Sequence, residues 1–251
     1  MSSYDFSAQR LFVEDSLVEG AEIAPNAAAQ NYLINVLRLR PGDAILLFNG
    51  HDGEWRAKIE TVSRRAAALR VENQVREQTA PNDLDYAFAP LKQARLDYVV
   101  QKATEMGAAR LTPVLTKRTQ MRRVSAHRLR ANAIEAAEQC GLLTIPETLE
   151  PIDLDRYLAG LAPERLLVFC DEDAPLTNAL ETLRGKGAEF PAPPPLAVLI
   201  GPEGGFDESE RAMILASSNV LRLSLGPRIL RADTAAVAAL ALVQASLGDW
   251  R

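Results

Sequence analysis

The chain has 251 residues, of which 47% are hydrophobic and 24% charged, and its formal net charge is −5. Such a composition belongs to a soluble globular protein with room for one large or two small domains. It excludes a polycation, so any contact with nucleic acid must rest on a local patch. Two distant cysteines, Cys140 and Cys170, and two histidines, His51 and His127, write no zinc motif, and free thiols suit a reducing cytoplasm.

The first ten residues are polar and lack the apolar stretch of a signal peptide, and the longest apolar run, 235–243, is too short to span a bilayer. Residues 10–13 read as a strand, 28–37 as a helix, 40–43 as a turn and 44–48 as a second strand. Asn49-Gly50-His51-Asp52-Gly53 carries hairpin signals, with His51 solvated in its polar turn, and strands at 55–62 and 66–71 complete a meander. The pattern is that of a small β barrel or sandwich. Residues 76–83 are polar, contain Pro81 and have no periodicity. They mark a domain boundary, with a first domain at 1–75 and a second at 82–251.

The second domain opens on a strand at 84–89. From Lys92 to Arg130 the charge changes character: ten basic residues (Lys92, Arg95, Lys102, Arg110, Lys117, Arg118, Arg122, Arg123, Arg128, Arg130) stand against Asp97 and Glu105. A local excess of that size in an acidic chain is the footprint of a phosphate-binding face. Within it, a helix runs from about residue 96 to a stop at Gly107, and 111–115 is a short strand. A helix at 126–140 ends at Gly141 and carries Glu135 and Glu138; Glu138 reads as a general base or as a solvated helix carboxylate. Residues 166–170 form a buried strand followed by Asp171-Glu172-Asp173, 176–183 a helix, and 185–195 a Gly/Pro-rich surface loop.

The most informative stretch is the last. The apolar run 196–200 reads as a buried strand, broken by Gly201-Pro202-Glu203-Gly204-Gly205-Phe206. Asp207 with Glu210 three residues later starts a helix through a capping box. The pattern then repeats: a strand at 220–225, a break at Gly226-Pro227, then Arg228-Ile229-Leu230-Arg231-Ala232, with Asp233 or Thr234 to cap a last helix at 235–247. Two strand, Gly-Pro loop, helix units place two glycine loops at carboxyl ends of strands, where open α/β sheets bind ligands. No Gly-x-Gly-x-x-Gly run occurs, which argues against a Rossmann or P-loop enzyme.

Ile-Gly-Pro-Glu-Gly-Gly-Phe at 200–206 and Leu-Gly-Pro-Arg-Ile-Leu-Arg-Ala-Asp-Thr-Ala at 225–235 resemble the bacterial 16S ribosomal RNA uracil-N3 methyltransferases of the RsmE type, within the knotted SPOUT class. Gln101-Lys102-Ala103-Thr104-Glu105-Met106-Gly107 is similar to that family's Gln-Lys-x-Thr-Glu-Leu-Gly signature, and Glu138-Gln139-Cys140-Gly141 also matches. The chain departs in having Asp233 where the family usually has Glu, and Leu142 where it usually has Arg. The resemblance implies an α/β fold whose C-terminal, mostly parallel sheet carries helices on both faces and a trefoil knot, preceded by a small PUA-like β-barrel domain. It implies S-adenosylmethionine as cofactor and methylation of N3 of one uridine, uridine 1498 in the usual numbering, in 16S ribosomal RNA within the 30S subunit; the lack of a zinc motif adds the expectation of no metal. A homodimer follows from the same source and from the apolar surface of the last helix, while the free thiols and the short apolar runs point to the cytoplasm without membrane attachment.

The cofactor would be held by Leu199, Ile200, Gly201, Glu203, Gly204, Gly205, Leu225, Gly226, Ile229, Leu230, Ala232 and Thr234. Arg231 and Arg228 are the candidates to stabilise the uracil anion. RNA would be held by Arg10, Arg38, Arg40, Lys92, Lys102, Lys117, Arg118, Arg122 and Arg123. A different SPOUT activity, on ribose 2′-O or guanine, and a non-catalytic RNA-binding assembly factor are the alternatives; intact Gly201, Gly204, Gly205 and Gly226 speak against a decayed cofactor site.

Overall fold

Parallel pairing dominates the C-terminal half and antiparallel pairing the N-terminal half of the computed structural model, which describes residues 8–62 and 67–250. Residues 1–7, and Ala66 as the expected start of a strand, lie outside the described residues. The chain divides into two compact units, 1–80 with 137–145, and 81–136 with 146–251.

The first unit holds β1 (Arg10–Phe12), β2 (Glu22–Ile23), β3 (Ala44–Phe48), β4 (Glu54–Val62) and β5 (Ala67–Arg76), in the order β1-β3-β4-β5-β2. β1 runs parallel to β3; the other pairs are antiparallel. Three register shifts between β4 and β5 curl this sheet, because each extra residue bends the strand that carries it. Leu11, Leu33, Ile45, Leu47, Ile59, Leu69 and Val71 fill its concave side, each burial contributing about 2 kcal/mol. β5 continues to Arg76, past the expected end of the meander, since Glu54 on β4 still has a partner there.

The helix expected at 28–37 is α1 (Ala27–Asn31), capped by Asn26, running into a π-helical stretch, Tyr32–Val36. It ends at Arg38, whose φ of 56° is left-handed, with Leu39 N–H donating back to Leu33 O at 3.0 Å.

Arg10 is a correction. Expected to contact RNA, its side chain is only 4% exposed and is spent on structure. Its Nε donates to Glu54 at 2.6 Å, and its two Nη groups donate to the carbonyls of Ala137, Glu138 (3.1 Å) and Leu142 (2.6 Å). Arg76 completes the clamp, bonding Glu54 at 2.9 Å and Gly141 O at 2.8 Å. These carbonyls lie at and just beyond the end of α3 (Ala126–Cys140), where helical partners run out, so two guanidiniums cap what the backbone leaves open. Glu138 likewise accepts the Phe12 N–H at 2.9 Å, a structural bond rather than the reach of a base.

The second unit is a sheet of β6 (Leu84–Phe88), β7 (Arg110–Leu115), β8 (Glu147–Thr148), β10 (Leu166–Cys170), β11 (Leu196–Ile200) and β12 (Val220–Leu223), ordered β12-β10-β11-β6-β7-β8, with every pair parallel. A two-residue β9 (Ile152–Asp153) adds to the far end of β7. The helices are α2 (Gln93–Glu105), α4 (Leu154–Ala159), α5 (Ala179–Gly187), α6 (Glu208–Leu215) and α7 (Ala232–Ser246). Alternation along the strands sends Ala87, Leu167, Phe169, Ala197 and Leu199 to one face, against Leu154, Tyr157 and Ile214 of α4 and α6. On the other face α7 packs against β11, α2 and α5. The parallel sheet with helices on both faces is the expected one.

Three expectations shift in detail. α5 starts at Ala179, not 176, because the Asn178 side chain accepts the N–H groups of Leu180 and Glu181, and it runs on to Gly187. α7 starts at Ala232, with Arg231 as its N-cap residue, so Asp233 and Thr234 sit inside its first turn rather than before it. β8, β9 and α4 went unforeseen, being too short to show a period.

Candidate cofactor pocket

β10, β11 and β12 are neighbours, so the loops leaving their carboxyl ends converge. They enclose a cavity of about 460 Å³. Cys170 and Ile200, the last residues of β10 and β11, are part of its wall. Burial pushes the Cys170 thiol up to about 12, so it stays protonated and unreactive at neutral pH.

The loop after β11 shows why glycine is required. A Cβ at Gly201 would lie 2.4 Å from the Phe206 ring, which is buried edge-on to Phe169 with centroids 5.2 Å apart. Gly205 has φ +69° and donates to Pro202 O at 2.9 Å, closing a tight turn. The turn hands over to α6 through the predicted capping box: Glu210 N–H donates to Asp207 at 2.8 Å and Asp207 N–H to Glu210 at 3.1 Å. The Lys117 ammonium, 2.6 Å away, and the Glu210 N–H hold the Asp207 carboxyl well below the usual carboxylate range.

The loop after β10 is fixed by charge. Buried Asp171 accepts from Arg211 on α6 at 3.0 Å and from Arg222 on β12 at 2.7 Å. A third loop, after β12, contributes the stretch from Ser224 to Ala232. The cavity thus has an apolar wall with backbone groups exposed in two glycine loops, and arginines at its mouth. It can enclose a purine ring and read its edge through peptide N–H and C=O groups.

Of the expected cofactor residues, Ile200, Gly201, Glu203, Gly205, Leu225, Gly226, Ile229, Leu230 and Ala232 line the cavity, as do Arg228 and Arg231. Three do not line it. Leu199 faces the core under the sheet, one residue out of phase with Ile200. Gly204 turns outward and its carbonyl accepts from Arg118 at 2.6 Å. Thr234 is exposed on the first turn of α7. Asp171, Glu172, Ala174 and Leu176 line the cavity and were not foreseen; the acidic triplet directly after an apolar strand was their only signal. Arg95 was also missed: it pairs with Glu203, and its Nε lies 3.9 Å from Asp233.

The basic stretch is partly spent within the unit. Lys102 bonds Glu105 at 2.8 Å, Lys117 bonds Asp207 and Ser209 at 2.6 Å, and Arg128 bonds Asp97 at 2.5 Å. Lys92, Arg118, Arg122 and Arg123 are exposed, as are Arg38 and Arg40 in the first unit. Among the described residues no group of side chains could hold a metal ion, and no helix is long and apolar enough to cross a membrane.

Residues 78–244 match the family described as RNA methyltransferase domain, and 25–72 match the RNA methyltransferase PUA domain. The ribosomal RNA small subunit methyltransferase E of Rickettsia conorii is 30% identical over 236 residues, covering 94% of each chain. A Legionella pneumophila methyltransferase solved with bound SAM superposes with a TM-score of 0.81 at 30% identity, over 95% of this chain and 97% of that one. The ribosomal RNA small subunit methyltransferase E of Neisseria gonorrhoeae, solved with S-adenosyl methionine, gives 0.84 at 25% identity, over 97% and 100%. Likeness that runs the length of both units, at a pocket assembled from the matched stretch, makes this chain a member of the RNA methyltransferase family, alongside the ribosomal RNA small subunit methyltransferases E.

Proposed function

We propose that the chain transfers the methyl group of S-adenosylmethionine to N3 of one specific uridine in 16S ribosomal RNA. The observation that carries this reading is the cavity between the two Gly-Pro loops, which has the size and the mixed apolar and peptide lining for a purine nucleoside. Bound there, S-adenosylmethionine supplies a methyl carbon activated by a sulfonium. The chain's own part is to hold that carbon in line with the uracil nitrogen and to favour the anion left when N3 loses its proton. Arg231, with Arg228 on the same loop, stands at the cavity mouth for that purpose. Exposed Lys92, Arg118, Arg122, Arg123, Arg38 and Arg40 are the candidates for phosphate contacts, within the 30S subunit in the cytoplasm.

The same reading includes a trefoil threading of the C-terminal segment, supported by α7 leaving edge strand β12 and packing back on β11 and α2. It also includes a homodimer. α7 keeps one apolar stripe half-exposed, Val237, Ala238, Ala241, Leu242 and Ala245, after its other side is buried. Light scattering at micromolar concentration checks the dimer; a monomer overturns it.

Mass spectrometry of ribosomal RNA from a deletion strain tests the activity. Loss of 3-methyluridine, restored by the gene, is the expected result. An unchanged level, or loss of a ribose or guanine methyl instead, overturns it.

A further inference from the structure

A second recess of about 690 Å³ borders the cofactor pocket. It lies at the start of α2 and is lined by Lys92, Arg95, Gln120, Met121 and Glu203. Glu203 lines both cavities, and Arg95, which lines the recess, pairs with it there. Arg95 also faces Asp233 of α7, 3.9 Å from its Nε, and so keeps a counter-ion when it lets go of Glu203. Both members of the pair are more than a third exposed, so their mutual attraction is weak and a ligand can compete for either.

We propose that this recess receives the target uracil, that Glu203 takes the N3 proton, and that Arg95 and Gln120 read the two flanking carbonyls. This rests on the reading of the protein as a uracil-N3 methyltransferase. The pairing edge of uracil presents an acceptor, a donor and an acceptor: O2, N3–H and O4. The recess offers the complement, with guanidinium and amide N–H groups as donors and the Glu203 carboxylate as acceptor. Cytosine carries an acceptor at N3 and would set a lone pair against the carboxylate, leaving both without a donor. Met121 supplies an apolar surface for the ring, and Lys92 at the rim a charge for phosphate.

The pair also couples recognition to chemistry. While Arg95 rests on Glu203, the guanidinium occupies the carboxylate. A uracil carbonyl that draws the guanidinium away frees the carboxylate to accept from N3–H. The N3–H bond then breaks and the proton goes to Glu203. The N3 electron pair forms the bond to the methyl carbon as the carbon–sulfur bond breaks, and the pair from that bond stays on sulfur. Glu203 later returns its proton to water. Glu203 is a catalytic residue in this scheme, and Arg95 holds both the substrate and the resting state of the base.

The test uses the full-length protein, Glu203→Gln and Arg95→Gln, with small subunits from a strain lacking the methyl group. Calorimetry reads S-adenosylmethionine affinity, single-turnover transfer is followed across pH, and binding of short RNA with uridine or cytidine at the target position is compared. The expected Glu203→Gln result is a rate about 10²–10⁴-fold lower at neutral pH, with a deficit that shrinks as rising pH lets solvent remove the proton. Arg95→Gln should keep cofactor affinity, lose rate, and lose preference for uridine over cytidine. Transfer by Glu203→Gln at the wild-type rate, or at a lower rate with an unchanged pH profile, overturns the assignment of the base. If Glu203→Gln no longer binds the cofactor, Arg95→Gln decides, and a wild-type rate there overturns the proposal. Wild-type protein that binds S-adenosylmethionine but leaves N3 unmethylated sinks the underlying reading instead, and is seen in the control.

Discussion

Asp171 accepts the Nε–H of Arg211 at 3.0 Å, joining the residue that follows β10 to the middle of α6. Arg222 reaches the same carboxylate from β12. One buried acid therefore ties together the ends of two strands and one helix around the cofactor cavity. Asp171→Ala leaves two guanidiniums without their shared partner. It should cost about 2–3 kcal/mol, less than for a fully buried pair because both arginines keep some water. Urea unfolding measures that loss, and calorimetry should show weaker S-adenosylmethionine binding as the loop after β10 loosens. An unchanged midpoint in urea would contradict the bracing role.

Gly201 is limited by space, not by φ. Gly201→Ala puts a methyl into the Phe206 ring, which is held in place against Phe169. The loop must shift, and cofactor affinity should fall by at least tenfold while the far end of the sheet keeps its hydrogen-exchange protection. Normal affinity would mean that Phe206 can move at little cost.

Arg231 projects from the N-cap of α7, exposed, at the mouth of the cavity. Arg231→Ala should leave S-adenosylmethionine affinity nearly intact and lower single-turnover transfer by about 10²–10³-fold, the usual effect of losing a charge that stabilises a transition-state anion. A raised KM with a shallower salt dependence of RNA binding would make it a phosphate contact instead. If neither changes, it has no part in the reaction.

Arg38 takes the left-handed position that ends its helix, a place that glycine fills without strain. Arg38→Gly should raise stability by about 0.5–1 kcal/mol in urea unfolding, the relief of strain exceeding the entropy gained by the unfolded chain. It should also weaken RNA binding and flatten its salt dependence. Stability unchanged and affinity intact would remove both the strain argument and the phosphate contact.

Asp85 lies buried in the parallel sheet, where it accepts from Thr112 at 2.7 Å and Tyr157 at 3.1 Å. Burial raises its pKa, against the pull of the Thr112 hydroxyl and of Arg110. A carboxyl with a raised folded pKa binds its proton more tightly in the folded state than in the unfolded state. The contribution of Asp85 to stability is therefore greatest below the unfolded value near 4 and declines as pH rises toward the folded one. Asp85→Asn removes that titration, so its stability should vary less with pH above about 4. Urea midpoints at a series of pH values check this; parallel curves for the two proteins would rule it out.

The sequence alone determined the parts whose signal is local. Five-residue apolar runs marked β10 and β11 to the residue, because both are covered on their two faces and no polar position interrupts either run. The capping box of α6 was legible because all its partners lie within four residues. The glycines of the cofactor loop were legible because a tight turn restricts residue type more than any neighbour does.

Tertiary structure decided what depends on partners distant in sequence. Arg10 looks like a free cation until Glu54 and the carbonyls at and beyond the end of α3 enclose it. Leu199 and Ile200 look alike until the sheet sends one to the core and the other to the cavity. The loop after β10 joins the pocket only because β10 is inserted between β11 and β12, an order no local pattern encodes. Arg95 and Glu203 are 108 positions apart, and only the fold brings their charges together. Side-chain type sets what a residue can do, and burial and neighbours, which come from strand order, set what it does.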